Sequence, residues 1–263
     1  MTAAHHSNGT PSASVILARD GDENDGASLE VLMVRRHQDT SFGSADAFPG
    51  GTVCAEDGRV GEFCGGLDRD QANRYLGTPS SGLDFYSAAI RELFEETGVL
   101  LAHGDSLPDR LLDDQRVALA QGELSWPLFL AEHELTLDAG ALHYVSHWEA
   151  PLDFRPRFST RFFVADMPGD QQVRHDGREL VGSRWVSPSC ALQLGRAGEL
   201  NLPFPTMKNL EALAGFRNRR ELMQWARSRW QNGVRKMCGA VIEVNGKRRI
   251  VLPGEPGYPE DEF

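Results

Sequence analysis

Three glutamates stand at positions 92, 95 and 96 within the run Arg91-Glu92-Leu93-Phe94-Glu95-Glu96-Thr97-Gly98-Val99. On an α-helix, residues at i, i+3 and i+4 share one face, so this spacing gathers three carboxylates side by side. Ile90, Leu93, Phe94 and Thr97 point to the opposite side, where they can pack on a sheet. Ala88 and Ala89 are small and lie near the carboxylate face, which would leave room for an ion and a ligand. Like charges on one helix face repel. Arg91 can pair with Glu95 at i+4 and offsets part of that cost. A hard divalent cation offsets it better. Mg2+ prefers oxygen ligands, keeps several waters, and can complete its shell with a few carboxylates and substrate phosphate oxygens. A solvated acidic face laced with surface ion pairs is the bland alternative, and Glu-x-x-Glu-Glu alone does not separate the two.

The surroundings of that helix are more specific. Phe48-Pro49-Gly50-Gly51 follows an extended segment upstream. Glycine lets backbone approach a ligand and adopt positive φ. Taken together, Gly51-x5-Asp57 and Arg91-Glu-Leu-Phe-Glu-Glu-Thr-Gly-Val99 resemble the Nudix box, G-x5-E-x7-R-E-U-x-E-E-x-G-U, where U is apolar. The second half matches at every defined position. Asp57 stands where the pattern has Glu. The halves are 33 residues apart rather than seven, an insertion of 26.

That resemblance implies an α/β/α sandwich with a mixed sheet, the box forming a loop-helix-loop, over roughly residues 12–195. It implies that Glu92, Glu95 and Glu96 bind Mg2+ or Mn2+ and that Arg91 orients the glutamates. It also implies attack of water on a diphosphate phosphorus, with Glu95, Glu96 and Arg91 in the catalytic machinery. The general base would be a box glutamate or one on a distant loop, here Glu179 in His175-Asp-Gly-Arg-Glu179-Leu-Val-Gly-Ser-Arg-Trp185. The long insertion, the Phe-Pro-Gly-Gly entry, Arg157-Phe-Ser-Thr-Arg-Phe-Phe163 and Glu179-Leu-Val-Gly-Ser-Arg-Trp-Val-Ser-Pro188 resemble the branch of the family that cleaves CoA or acyl-CoA. Turnover of ADP-ribose, NADH or dinucleotides is the other enzymatic reading. A non-catalytic nucleotide sensor is a third, against which the intact glutamate set argues. Gly50, Gly51, Arg35, Arg36, Arg157 and Arg161 are the candidates for contacts to substrate, with Arg155 behind them. Arg157 and Arg161 lead the arginines, because they flank the strand end nearest the expected site. Each arginine can also be read as an ordinary surface residue.

The elements that must position these groups follow from periodicity and punctuation. Ser14 to Ala18 and Leu29 to Arg35 read as strands joined by an acidic, Gly-bearing loop. A short helix is expected near Arg69 to Leu76, and a strong one over Phe85 to Thr97, stopped by Gly98. One or two amphipathic helices suit residues 105–137. Leu142 to Trp148, Ser159 to Ala165 and Leu180 to Val186 read as strands. Ser187-Pro188 starts a helix, and helices follow at Pro205 to Gly215 and Arg219 to Trp230. Asn245-Gly246 between Ala240 to Val244 and Arg248 to Leu252 marks a hairpin. The fold class is therefore α+β. Residues 1–13 are expected to be disordered and 14–195 to form the Nudix domain, with its insertion at about 58–84. Residues 196–263 are expected to form a helical and hairpin extension packed on the same domain.

Composition bounds the rest. The 263 residues carry a formal charge of -11, which disfavours a general nucleic-acid binder and leaves room for a small-molecule nucleotide substrate. No apolar leader core or membrane-spanning stretch is present, so a cytoplasmic protein without a membrane partner is the expectation. The scattered Cys54, Cys64, Cys190 and Cys238 read as free thiols. His143 and His147 have zinc-pair spacing, but they lie in a strand or loop and lack the intervening glutamate. Trp148, Phe154 and Phe158 suit core packing better than adenine stacking. The apolar stripes of the C-terminal helices suit a cover over the site or a homodimer contact.

Overall fold

The apolar run Val15-Ile16-Leu17-Ala18 has no solvent exposure on either side, as expected of a strand covered on both faces. The computed structural model describes residues 9–21, 29–36, 44–174, 180–229, 231, 233–244 and 246–259. In chain order the strands and helices are β1 (Thr10–Asp20), β2 (Leu29–Arg36), β3 (Asp46–Ala47), β4 (Gly50–Thr52), β5 (Cys64–Gly65), α1 (Arg69–Leu76) and α2 (Gly82–Thr97). Then come β6 (Ala102–His103), α3 (Asp109–Ala120), α4 (Trp126–Glu132), β7 (Thr136–Asp138), β8 (His143–Glu149), β9 (Phe158–Asp166) and β10 (Leu180–Val186). The chain closes with α5 (Pro188–Arg196), α6 (Phe204–Leu213), α7 (Arg219–Arg229), β11 (Lys236–Cys238), β12 (Ala240–Val244) and β13 (Lys247–Val251).

The main sheet runs β10-β2-β1-β9-β8-β11, with β3 added to β2 and β4 to β1. It is mixed: β1 pairs parallel with β9 and β11 parallel with β8, while the other pairs are antiparallel. Strand alternation sends Ala13, Val15, Leu17, Leu32 and Phe163 to one face, where they pack with α2 and α4. Ile16, Val31, Met33, Phe162 and Val164 go to the other, where they meet Ala191 of α5, Leu210 and Leu213 of α6, and Leu222, Met223 and Ala226 of α7. The result is an α/β/α sandwich of α+β class with a mixed sheet. Burying each such Leu, Ile or Phe side chain contributes about 1.5–3 kcal/mol, so both helical layers are held by core burial rather than by helix propensity.

Three sequence expectations need correction. Residues 10–13, assigned to a disordered N-terminus, are strand. Thr10 to Ala13 extend the parallel ladder with β9 in the register Thr10↔Phe158 to Ala13↔Arg161. The apolar pattern underreports this, because small polar residues can occupy a strand whose backbone bonds are satisfied. Helix α2 starts at Gly82 rather than Phe85. A Cβ at Gly82 would lie 2.5 Å from the Ala72 carbonyl carbon, so glycine lets the first turn of α2 abut α1. Ala88 and Ala89 are fully buried. They bring α2 close to its neighbours rather than opening space for a ligand. The expected hairpin forms as β12–β13, in the register Val244↔Lys247 to Ala240↔Val251. Among the described residues, no helix is long and apolar enough to cross a membrane.

Candidate active site

Helix α2 presents the acidic side chains, and three separate segments hold its end in place. Gly98 closes the helix at φ 74°, its N–H donating to the Phe94 carbonyl at 2.8 Å. Arg116 of α3 donates from Nε to the Glu95 carbonyl at 2.9 Å, a cation at a helix C-terminus where the dipole favours it. The Arg174 N–H donates to the Thr97 carbonyl at 2.8 Å. Phe94 stacks on Phe129 of α4 with ring centroids 5.5 Å apart, which ties the apolar face of α2 to a helix beyond the box.

Upstream, the Phe-Pro-Gly-Gly segment is fastened to β1. Both the Val15 N–H and the Ser14 hydroxyl donate to the Pro49 carbonyl, at 2.8 and 2.9 Å. Gly50 sits at φ 152°, and a Cβ there would lie 2.3 Å from the Ala13 carbonyl oxygen. Its N–H donates to Glu96 Oε2 at 2.9 Å, so a buried glutamate fixes the strap to the helix. Gly51 passes so close to Glu92 that a Cβ would stand 2.4 Å from the carboxyl carbon. This is a close approach that only glycine permits without moving the carboxylate.

Arg91 is the hub. It is 8% exposed and grips Asp57 with two hydrogen bonds, Nε to Oδ1 at 3.1 Å and Nη2 to Oδ2 at 3.0 Å. Nη2 also donates to the Thr52 carbonyl at 2.9 Å. Nη1 reaches Glu92 Oε1 at 2.8 Å and Glu95 Oε1 at 3.3 Å. Burial by itself would lower the Arg91 pKa, but the carboxylates of Glu92, Asp57 and Glu95 together raise it above the ordinary arginine value. The guanidinium stays charged, and three carboxylates are oriented about it.

Asp57 is 1% exposed. Besides Arg91, it accepts from the Ser87 hydroxyl at 2.9 Å and the Cys54 N–H at 2.8 Å. Ser87 in turn accepts from the Trp126 indole N–H at 3.1 Å. Asp57, the residue in the first acidic position of the box, therefore anchors Arg91 rather than facing outward. Ser87 and Trp126 were not among the sequence candidates. Ser87 lies one turn before Arg91 on the same helix face, a spacing that could have found it. Trp126 had no comparable signal.

The other candidates are dispersed. Arg35 was expected to contact substrate, but it lies on the α5 side of the sheet. It is gripped by Asp46 at 2.9 and 3.2 Å and donates to the Glu199 carbonyl at 3.1 Å. Asp46 raises its pKa further. Its strand phase matches Met33 rather than Leu32, which turns it away from α2. Arg157 pairs with buried Glu149 at 2.8 Å and donates to the Ala150 carbonyl at 3.0 Å. Arg161 does face α2, but lies beneath its first half, 4.0 Å from the Phe85 ring centroid and 9% exposed. Burial lowers its pKa. Of the leading pair of arginines, Arg157 is thus engaged by Glu149 at the entry to β9 and Arg161 is packed under Phe85 of α2. Glu179 and the Arg36 side chain lie outside the described residues. His143 and His147 are four apart along β8, about 13 Å at strand rise, and His147 Nε2 is 2.8 Å from the Ser159 hydroxyl. They form no zinc pair.

The donor set suits a hard divalent cation. Glu92 and Glu95 offer carboxylate oxygens at 16% and 19% side-chain exposure beside bare glycine backbone. Among the described residues, no three carboxylate, histidine or cysteine side chains converge as a finished cage.

The NUDT19 Nudix domain model matches residues 67–213, a span that includes all of α2. The human protein acyl-coenzyme A diphosphatase NUDT19 is 30% identical over 207 residues, covering 73% of this chain and 55% of that protein. The Xenopus laevis protein of the same name is 24% identical, over 91% of this chain and 74% of its own length. Against the human relative, the chain thus spans about half of the longer protein's length. The crystal structure of a NUDIX hydrolase from Alicyclobacillus acidocaldarius superposes with a TM-score of 0.68 at 25% identity, over 82% of this chain and 96% of that one. The matched span opens inside the insertion, so Gly51 and Asp57 are tied to the box helix by the hydrogen bonds and contacts above. With Arg91, Glu92, Glu95 and Glu96 inside that span and assembled on one helix, the chain belongs to the Nudix family, in the branch described by the NUDT19 Nudix domain.

Proposed function

We propose that this chain hydrolyses the diphosphate bond of a nucleotide derivative, with CoA or acyl-CoA as substrate. The single observation that carries the reading is the cluster of Glu92 and Glu95 around Arg91, pressed against the Gly51 backbone. The names of the human and Xenopus laevis relatives support the substrate class.

Nudix hydrolases generally use divalent metal ions. Glu92, Glu95 and Glu96 are the residues that would hold Mg2+ or Mn2+ here. When bound, such an ion polarises phosphate oxygens and lowers the pKa of the attacking water. The remaining work belongs to the chain. Arg91, fixed by Asp57, keeps the carboxylates of Glu92 and Glu95 oriented. Glu96 holds Gly50 and so keeps the glycine strap beside the reacting phosphates. Water forms a bond to one phosphorus, the bridging P–O bond breaks, and the water's protons pass to a carboxylate and solvent. Two phosphomonoesters result. Glu179 is the candidate for that base. It lies five residues after Arg174, whose N–H is docked on the C-terminal turn of α2, within roughly 17 Å of extended chain. A box glutamate is the alternative base.

The test is a panel of CoA, acyl-CoAs, ADP-ribose, NADH and dinucleoside polyphosphates with Mg2+ or Mn2+, with products identified by mass. Release of adenosine 3',5'-bisphosphate from CoA is the expected result. Exclusive turnover of ADP-ribose would reject the CoA reading, and no turnover of any member would reject the diphosphatase reading.

A further inference from the structure

A concavity of about 440 Å³ lies away from α2, between the loop after β8 and the β12–β13 hairpin. Its lining is Asp153, Phe154, Val241, Arg248, Arg249 and Ile250. That volume falls within the range of small-molecule sites. Two segments far apart in sequence meet here because β11 pairs with the end of β8. Cys238 stands opposite Glu149 in that ladder. The loop leaves β8 at Ala150, and the hairpin leaves β11 at Gly239. The Cys238 thiol reaches the Ala150 carbonyl at 3.9 Å, and the Tyr258 hydroxyl donates to the Cys238 carbonyl at 3.1 Å.

The loop is built to present its aromatic ring. The Phe154 N–H donates to the Pro151 carbonyl at 3.0 Å. Arg155 Nη1 donates to the Leu152 and Phe154 carbonyls at 2.6 and 2.7 Å. Phe154 remains 43% exposed. Across the gap, Val241 and Ile250 are a cross-strand pair on one face of the hairpin, giving an apolar floor. Arg248 shares that face, opposite Glu243. Arg248 and Arg249 are both exposed, and among the described residues no ion pair engages either one.

An exposed ring with an apolar floor offers a stacking platform for a base. The Arg248 guanidinium on that face can pair with the oxygens of a phosphomonoester, and Asp153 can accept from an exocyclic amino group. We infer that this pocket is a second site, separate from the carboxylate helix, which binds a purine nucleotide carrying a phosphomonoester. It goes beyond the diphosphatase reading and does not depend on it.

The experiment measures AMP binding to the full chain in EDTA by titration calorimetry, with adenosine and inorganic phosphate as comparison ligands. Photolabelling with 8-azido-AMP and peptide mapping then locates the bound base. Chelation keeps the readout separate from metal-dependent hydrolysis, so a failed diphosphatase assay leaves it intact. AMP should bind more tightly than either of its parts, with label on residues 151–157 or 240–252. Phe154→Ala and the double variant Arg248→Ala/Arg249→Ala should each weaken binding by about tenfold or more. Phe154→Tyr should retain binding, and all three should keep the parental melting temperature, since these side chains are exposed. Label confined to other segments, or AMP affinity unchanged in both alanine variants, would overturn the inference.

Discussion

Two buried clusters of charge sit on the α2 side of the sheet, and they are balanced in opposite ways. At the carboxylate helix, Asp57, Glu92 and Glu95 share one guanidinium, with Glu96 alongside. Where β8 ends, one carboxylate, Glu149, meets two cations: Arg157 at 2.8 Å and Lys236 at 2.5 Å. It also accepts the Gly9 N–H at 3.0 Å. Burial would raise the Glu149 pKa, but Lys236, the Gly9 N–H and Arg157 hold it below the ordinary carboxylate value. The second cluster is satisfied by the protein's own groups and joins three chain segments, the entry to β1, β9 and β11. The first gathers four carboxylates, Asp57, Glu92, Glu95 and Glu96, on or beside one guanidinium. A carboxylate closed by the protein's own cations points to architecture, whereas carboxylates gathered beside bare glycine backbone fit the proposed cation-holding role.

The difference can be broken from either side. The largest effect is expected at the satisfied cluster. Glu149→Ala leaves two cations facing each other with no carboxylate, and should cost roughly 3–5 kcal/mol in urea unfolding, while hydrolysis per folded molecule is preserved. If Glu149→Ala abolished turnover without loss of stability, the assignment of roles would be reversed. Next is Glu95→Gln, which should lower kcat/KM by about 10²–10³-fold with the unfolding midpoint unchanged. Full activity in that variant would remove the proposed cation-holding role of α2.

Acid should act on the satisfied cluster as well. Burial, then Arg161 and Lys236, lower the His147 pKa from 6.5 to about 3. The unfolded chain therefore binds a proton that the folded chain refuses between those values. Stability is fully present above pH 6.5 and is lost as pH falls toward 3; the depressed Glu149 adds to that loss below the ordinary carboxylate range. In His147→Asn, unfolding free energy should vary less steeply between pH 6.5 and 5. An unchanged slope would count against a neutral buried imidazole.

Smaller effects sharpen the carboxylate side. Gly51→Ala should displace the Glu92 carboxylate and reduce kcat by about tenfold with little change in melting temperature. A flexible carboxylate can move aside where backbone could not. Ser87→Ala removes one link between Trp126 and Asp57, and should cost about 1 kcal/mol in unfolding free energy with a modest loss of activity. A loss as large as that of Glu149→Ala would mean that Ser87, rather than Arg91, holds Asp57 in place.

By itself, the sequence determined what local spacing can encode. The i, i+3, i+4 glutamates, the Gly98 stop, the apolar strands and the Asn245-Gly246 hairpin are all repeats or breaks within about a dozen residues, which backbone geometry translates directly into elements. The double glycine could be marked as a place of close approach, though not what it approaches. Only the tertiary structure decided the partners of charged groups. Asp57 belongs to Arg91 across the insertion, Arg35 to Asp46 and the Glu199 carbonyl, Arg157 to Glu149, and Arg161 lies under Phe85. The same holds for Thr10 to Ala13, whose strand exists because β9 runs beside it. An arginine carries the same side chain whether it meets a substrate or a buried carboxylate. Which one it meets depends on strand phase and layer order, set by contacts among residues distant in the chain.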